Sequence, residues 1–227
     1  MPPVATTAGR PTSICPVPSH LRPTIVYSRS QRCLIVAQKP HLLRLMPGAY
    51  LLPVPDRRRW EQRFMVSLAR AVAAQQLLPS ATCLSHTSAA LVQGLAMWTR
   101  EPDVYLAVPG ASRLTTKTLP AFHYPSSGVP VPVKPTSSDG TPIRLRRRRL
   151  QLGDGEIEVV GGVPVTSVLR TAFDCACDEP PYNALSIADA ALNRYCLPDP
   201  WHRDACTTRL REARACWDAL VARHRRR

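Results

Sequence analysis

Ser85 and His86 stand side by side, a nucleophile next to a base, and this invites a hydrolase reading. That chemistry needs an exposed serine on a sharp turn and a third group to orient the imidazole. No Gly-x-Ser-x-Gly elbow occurs and the local sequence implies no third group, so the pair reads better as the polar first turn of a helix. Asp154, Glu156 and Glu158 gather near a turn, but no lysine stands beside them as a metal-dependent nuclease usually requires; Asp174, Asp178 and Asp189 are spread over two predicted helices. Cys175 and Cys177, followed by Cys196, His202, Cys206 and Cys216, lack the paired Cys-x-x-Cys spacing of a structural zinc site, and no metal is assigned to them. The phosphate loop, the Gly-x-Gly-x-x-Gly turn and His-Glu-x-x-His are all absent. Acid, base and nucleophile do not assemble, so the expectation is a protein that is not an enzyme and uses no cofactor.

Charge says more. The 227 residues carry a formal charge of +14 with Lys39, Lys117 and Lys134 as the only lysines, so the excess is arginine. A guanidinium is a planar fork suited to bidentate phosphate contact, and an excess of this size favours nucleic acid or an acidic partner. A genomic bias toward Arg, Ala and Pro would give the same total. Arg146, Arg147, Arg148 and Arg149 form the densest block inside the folded region. They follow an alternating Ile143–Leu145 start and read either as a solubilising edge strand or as a phosphate-contacting one. Arg57, Arg58 and Arg59 crowd a predicted helix start, where positive charge opposes the dipole. No targeting segment and no apolar run of membrane-spanning length is visible, so the expected location is cytoplasmic, off the membrane, with the eight cysteines reduced.

The elements that would position these groups follow from period and punctuation. Residues 1–23 are proline-rich and expected to be disordered. Residues 24–55 suggest a partial winged-helix module: an apolar cluster from Cys33 to Val36 among Arg29, Arg32 and Lys39, then two short strands turning at Pro47-Gly48 and carrying Arg44. A helix over 56–78 is predicted with Asp56 as cap and Trp60, Phe64, Leu68, Ala71 and Leu78 on its apolar face. Ser85 to Gly94 gives a short helix, Val104 to Val108 a strand, and residues 109–142 short strands and loops. Ile157, Val159, Val163 and Val165 alternate around Gly161-Gly162 and predict a hairpin. Ser167 caps the helix that follows; its Arg170 and Asp174, four apart, read as a solvated surface pair. Pro181–Tyr195, with Leu185, Ala188 and Leu192 at helical spacing, and Asp204–Arg223, with Leu210, Ala213, Trp217, Leu220 and Val221 on one side, close an α+β domain over 56–222, and 223–227 is a basic tail.

Five of these stretches together resemble the AbiEi family, the antitoxins of bacterial type IV toxin–antitoxin systems. Leu43 to Tyr50 is similar to the family's wing, although Met46-Pro47 stands where the family often carries arginines. Leu84-Ser85-His86-Thr87-Ser88-Ala89-Ala90 with Gly94-Leu95 resembles its "L-S-H-x-S-A-A…G-L" helix, and Val104 to Pro109 its "V-H-V-T-V-P" strand. Gly162 to Asp174, including Thr166, Ser167, Arg170 and Thr171, is similar to "G-L-P-V-T-S-x-x-R-T-x-x-D", and Ala188-Asp189-Ala190-Ala191-Leu192 to the helix after it. The resemblance implies a degenerate winged helix reading the operon's own promoter and a mixed α/β domain that neutralises a nucleotidyltransferase toxin. The nuclease-like domain that many relatives carry is not expected here. Two other readings stay open: a protein-interaction module without DNA binding, and the remnant of a nuclease-fused protein.

Overall fold

A computed structural model describes residues 16–28, 41–110, 116–133, 142–196 and 203–225. Among them are five α-helices and three sheets, a mixed α+β architecture. The largest sheet has six strands: β4 (Cys83–Leu84), β5 (Val104–Val108), β6 (Lys117–Thr118), β9 (Arg144–Arg149), β10 (Ile157–Val160) and β11 (Val163–Thr166), in the order β10-β11-β4-β5-β9-β6. β5 lies inside it, antiparallel to β4 and parallel to β9. Every residue of β5 is buried, as a strand with partners on both sides and cover on both faces requires. The β10–β11 hairpin turns at Gly161-Gly162 as the alternation predicts, with φ values of 56° and 83° that favour glycine.

Two smaller sheets flank this one. β1 (Thr24–Tyr27), β2 (Leu43–Met46) and β3 (Ala49–Leu52) pair antiparallel in the order β1-β3-β2, with β2 and β3 joined at Pro47-Gly48. Leu43 and Leu45 are buried while Arg44 between them is exposed, the period-two pattern of a strand with one face on a core. β7 (Ala121–His123) and β8 (Val131–Val133) form the third sheet. Residues 16–23 depart from the expected disorder: Val17 and Leu21 are 1% and 6% exposed and belong to the main core, because two apolar side chains in this short stretch find a place to bury. That core runs without a break from Leu45 and Leu51 through Val66 to Leu106 and Val165, so it crosses the boundary expected at residues 55–56.

Helix α1 (Arg59–Leu77) links the two larger sheets and differs from the expected helix at its cap and on its buried face. Asp56 does not cap it. Asp56 sits at φ 58°, and the chain enters the helix at Arg58, whose N–H donates to Glu61 Oε2 at 2.9 Å. Nor does Trp60 join the buried face: it is 54% exposed, while Met65, Val66, Ala69, Ala73 and Ala74 are buried. The alanines let the helix approach the sheets closely, and that contact, not the widest apolar residue, sets its rotation. Arg70, fully buried on α1, donates to the Pro120 carbonyl at 2.6 Å, pairs with Glu101 at 3.2 Å and lies over the Phe122 ring, which anchors the chain entering β7.

The remaining helices form a layer of their own. α2 (His86–Gln93) is buried along its whole length and ends at Gly94 with φ 67°, the left-handed stop the sequence predicts. α3 (Val168–Asp178), α4 (Pro181–Cys196) and α5 (Arg203–His224) pack beside it. On α4 the buried side is Asn183, Ala184, Ile187 and Ala191, while Leu185 and Leu192 are exposed, so the apolar face is rotated from the one expected; Asn183 is drawn inward because its Oδ1 accepts the N–H groups of Trp98 and Thr99, each at 3.1 Å. On α5, Ala213 and Leu220 are buried and Leu210 is exposed.

Gly94 supplies a direct test of this packing. A Cβ at Gly94 would meet Pro16 Cγ at 3.3 Å and sit on a left-handed backbone. Gly94→Ala is expected to lower the unfolding free energy by about 1–2 kcal/mol, read from urea denaturation; an unchanged midpoint would contradict the close approach of Pro16.

Candidate functional site

Segments far apart in sequence converge on one charged pocket of about 180 Å³. α2 contributes His86, β9 contributes Arg148 and Arg149, α3 contributes Arg170, Asp174 and Asp178, and α5 contributes Arg223 and His224. The pocket is smaller than the roughly 300 Å³ at which sites for drug-sized ligands begin.

His86 lies at its inner wall, 1% exposed and stacked on Tyr105 with ring centroids 4.5 Å apart. Its φ of 50° is rare for a residue with a side chain. Nε2 is 3.0 Å from Asp178 Oδ2 and Nδ1 is 2.9 Å from Ser85 Oγ. A carboxylate only accepts, so Nε2 carries a proton; in the neutral ring Nδ1 then accepts from the Ser85 hydroxyl. Asp178 is thus the orienting third group that the sequence did not reveal, 92 positions away. The chain Ser85–His86–Asp178 has the order of a hydrolytic triad, but Ser85 is 0% exposed and does not line the charged pocket. Ser85 precedes α2 without a side-chain capping bond, because its hydroxyl is used by His86.

Arg170 is the second centre. It is 4% exposed, donating through Nε to Asp174 Oδ1 at 2.9 Å and through Nη1 to Glu156 Oε2 at 2.7 Å and the Gln151 carbonyl at 3.1 Å. The four-residue spacing to Asp174 is as predicted, but the pair is buried and not solvated, because Glu156 and the helices beside it close over it. Glu156 also accepts from Arg223 and from the Gly153 N–H, so Arg223 is part of α5 and of this network and not of a free tail. Burial raises the Glu156 carboxyl, but the Gly153 N–H and the two guanidiniums outweigh it and hold the group below its ordinary value. Asp174 goes the other way: burial pushes its carboxyl up, more than His86 and Arg170 pull it down, and its Oδ2 is buried without a partner. Asp178 is held below its ordinary value, first by the hydrogen bond from His86, against burial, then by the charges of His86 and Arg148. The thiols are raised by burial, Cys83 to about 12 and Cys175 well above its ordinary value, so neither is a ready thiolate.

The other residues singled out by sequence divide clearly. Ser88 Oγ accepts the Tyr105 N–H at 2.9 Å, and Thr171 Oγ1 lies 2.7 Å from Thr166 Oγ1; both pairs stitch helices to strands. Ser167 begins α3 without a side-chain capping bond, and Asp189 is exposed on α4, apart from the cluster. Arg146 is bound to Asp103 at 2.5 Å and Arg148 to Asp178 at 3.1 Å, both over the Tyr105 ring. Arg147 makes no ion pair among the described residues and its Nε is buried without a partner; Arg149 is exposed. Among the described residues β9 is paired with β6 only at Arg144 and Leu145; residues 111–115, which precede β6, lie outside the described residues. Arg44 is exposed on β2. Arg29, Arg32 and Lys39 lie outside the described residues. Among the described residues no group of three or more His, Cys, Asp or Glu is placed to hold a metal, and no helix is long and apolar enough to cross a membrane.

No family model, curated protein or solved structure matches this chain.

Removing Arg170 should be costly in a pH-dependent way. Arg170→Met leaves Glu156 and Asp174 facing each other in a buried site and is expected to cost about 3–5 kcal/mol near neutrality. The loss should shrink as acid neutralises the carboxylates; a loss equal at pH 4 and pH 7, measured by denaturant titration, would point to packing and not charge. Asp178 gives a second test. Its folded value is below the ordinary 3.8, so its contribution is present above that value and disappears as pH falls through the lower folded one. Asp178→Asn should therefore flatten the acid limb of the stability profile below about pH 4. An acid limb as steep as that of the unaltered chain would remove the assignment.

Proposed function

We propose that this chain is a non-enzymatic, DNA-binding transcriptional regulator of the antitoxin-like kind its motifs resemble. The observation that carries the reading is the small sheet. Its order is β1-β3-β2, its last hairpin turns tightly at Pro47-Gly48, and Arg44 projects outward between two core leucines. Such a hairpin closes a winged reader, and Arg29, Arg32 and Lys39, which precede it in sequence, lie outside the described residues. In this reading those side chains and Arg44 contact phosphates at the chain's own promoter, and Arg147 and Arg149 on β9 extend the footprint. The burial of Ser85 supports a protein that works by binding.

A second reading has its own support. Asp103 and Asp178 already neutralise Arg146 and Arg148, which halves the basic strand available to a phosphate backbone. Trp98 at 71%, Tyr182 at 58% and Leu185 at 70% exposure leave apolar surface on the helical side for a protein partner such as a nucleotidyltransferase toxin. This would be an antitoxin-type interaction module without DNA binding.

Mobility shifts on the duplex upstream of its own gene, against random duplex, across a salt series, separate the two. The regulator should prefer its own promoter and weaken steeply with salt, and Arg44→Glu should lower affinity and reduce the salt slope by about one. Equal binding to random DNA removes the specific regulator. Co-purification with a nucleotidyltransferase and no DNA binding selects the second reading.

A further inference from the structure

A second depression, apart from the charged pocket, lies between the first turns of α1, the end of α2 and the segment up to Arg100; its volume is about 490 Å³. Its rim carries Arg59, Arg63 and Arg100, and no carboxylate lines it. Its floor is Phe64, Leu91, Leu95 and Met97, with Trp60 beside them, 54% exposed. The arginines are poorly satisfied within the chain. Among the described residues Arg59 has a single side-chain bond, to Ser126 Oγ at 3.0 Å. Arg63 lies over the Tyr124 ring with its Nε buried and unpartnered. Arg100 makes no ion pair or hydrogen bond among the described residues. Glu101 next to it is turned away, bound to Arg70 and the Tyr124 hydroxyl.

Three cations without a counter-charge, on one short apolar floor, call for an anion with a flat apolar body. The start of α1 adds the positive end of a helix dipole. The volume suits one small ligand, and the apolar floor is too short to offer a docking helix its successive anchors. An exposed indole beside guanidiniums is the arrangement on which bases stack while phosphates are held. We propose that this groove binds a base–phosphate unit, with the base against Trp60 and the phosphate held by Arg59, Arg63 and Arg100. The unit comes either from a free nucleotide or from single-stranded nucleic acid. The site is separate from the small sheet assigned to duplex binding, and neither reading requires the other.

The test is equilibrium binding to the full chain. The probes are AMP, oligothymidylate of about ten nucleotides, inorganic phosphate and a peptide of alternating glutamate and leucine. AMP or the oligonucleotide should bind, and phosphate alone more weakly. Trp60→Ala should weaken nucleotide binding by about five- to 150-fold, the loss of one stacked base. Arg100→Glu should weaken it further and lessen its dependence on salt. Both side chains are exposed, and thermal unfolding of each variant should match the unaltered chain. AMP binding identifies free nucleotide as the source; binding of the oligonucleotide alone identifies the strand. Arg44→Glu should leave nucleotide binding intact, and Trp60→Ala should leave promoter binding intact. The proposal is overturned if neither AMP nor the oligonucleotide binds, if phosphate binds as well as AMP, if the acidic peptide binds in their place, or if Arg44→Glu abolishes oligonucleotide binding that Trp60→Ala spares.

Discussion

The buried guanidinium of Arg170 joins α3 to the segment between β9 and β10. One planar group bonds Asp174 on its own helix, Glu156 before β10 and the carbonyl of Gln151 after β9. Glu156 then takes in Arg223 from the last helix. Taking such charges out of water costs several kcal/mol each, and the mutual attraction repays this only when the remaining donors and acceptors are also satisfied. Here they are nearly all satisfied; the exception is Asp174 Oδ2, and Asp174 is the member whose carboxyl is pushed toward the neutral form. The cluster therefore fixes which surfaces meet more than it adds net stability.

The contrast between what was legible and what was not follows sequence distance. The Gly161-Gly162 hairpin, the Pro47-Gly48 turn, the Gly94 stop and the strand at Val104–Val108 are written in a few adjacent residues, and each forms where the local pattern puts it. Arg170 and Asp174 were legible as a pair because four residues bring them together on any helix. Their burial was not, since it depends on Glu156, fourteen positions earlier, and on α5. The same limit hid Asp178 from His86 and turned Asn183 inward on α4, where Leu185 had been expected. Trp60 misled for a related reason: hydrophobicity ranks side chains, but the alanines of α1 decide which face comes close to a sheet.

The formal charge of +14 hides two kinds of arginine. Arg70, Arg146, Arg148, Arg170 and Arg223 each have a carboxylate partner and act as internal ties. Arg44, Arg100 and Arg149 have none among the described residues, and they are exposed. Only the second kind projects a field into solvent, so the pull on a polyanion comes from fewer groups than composition suggests. A four-arginine block read as one basic patch is in fact divided, with Arg146 and Arg148 held over Tyr105, Arg147 on the alternate face of the strand, and Arg149 lining the charged pocket beside Arg148.

The Ser85–His86–Asp178 chain is held as tightly by its surroundings. A working triad keeps its serine at a surface where a substrate carbonyl and a set of oxyanion donors can meet it. In this chain the order of groups is present, but Ser85 is fully buried at the start of α2, His86 stacks on Tyr105, and Arg148 shares Asp178 Oδ2 with the imidazole. The Asp178 bond and the Tyr105 stack tie His86 on α2 to α3 and β5. A polar network is conformationally specific when every member has a partner, and with Ser88 and Thr87 bonded to the β5 region on the same helix, that is the role these distances fit.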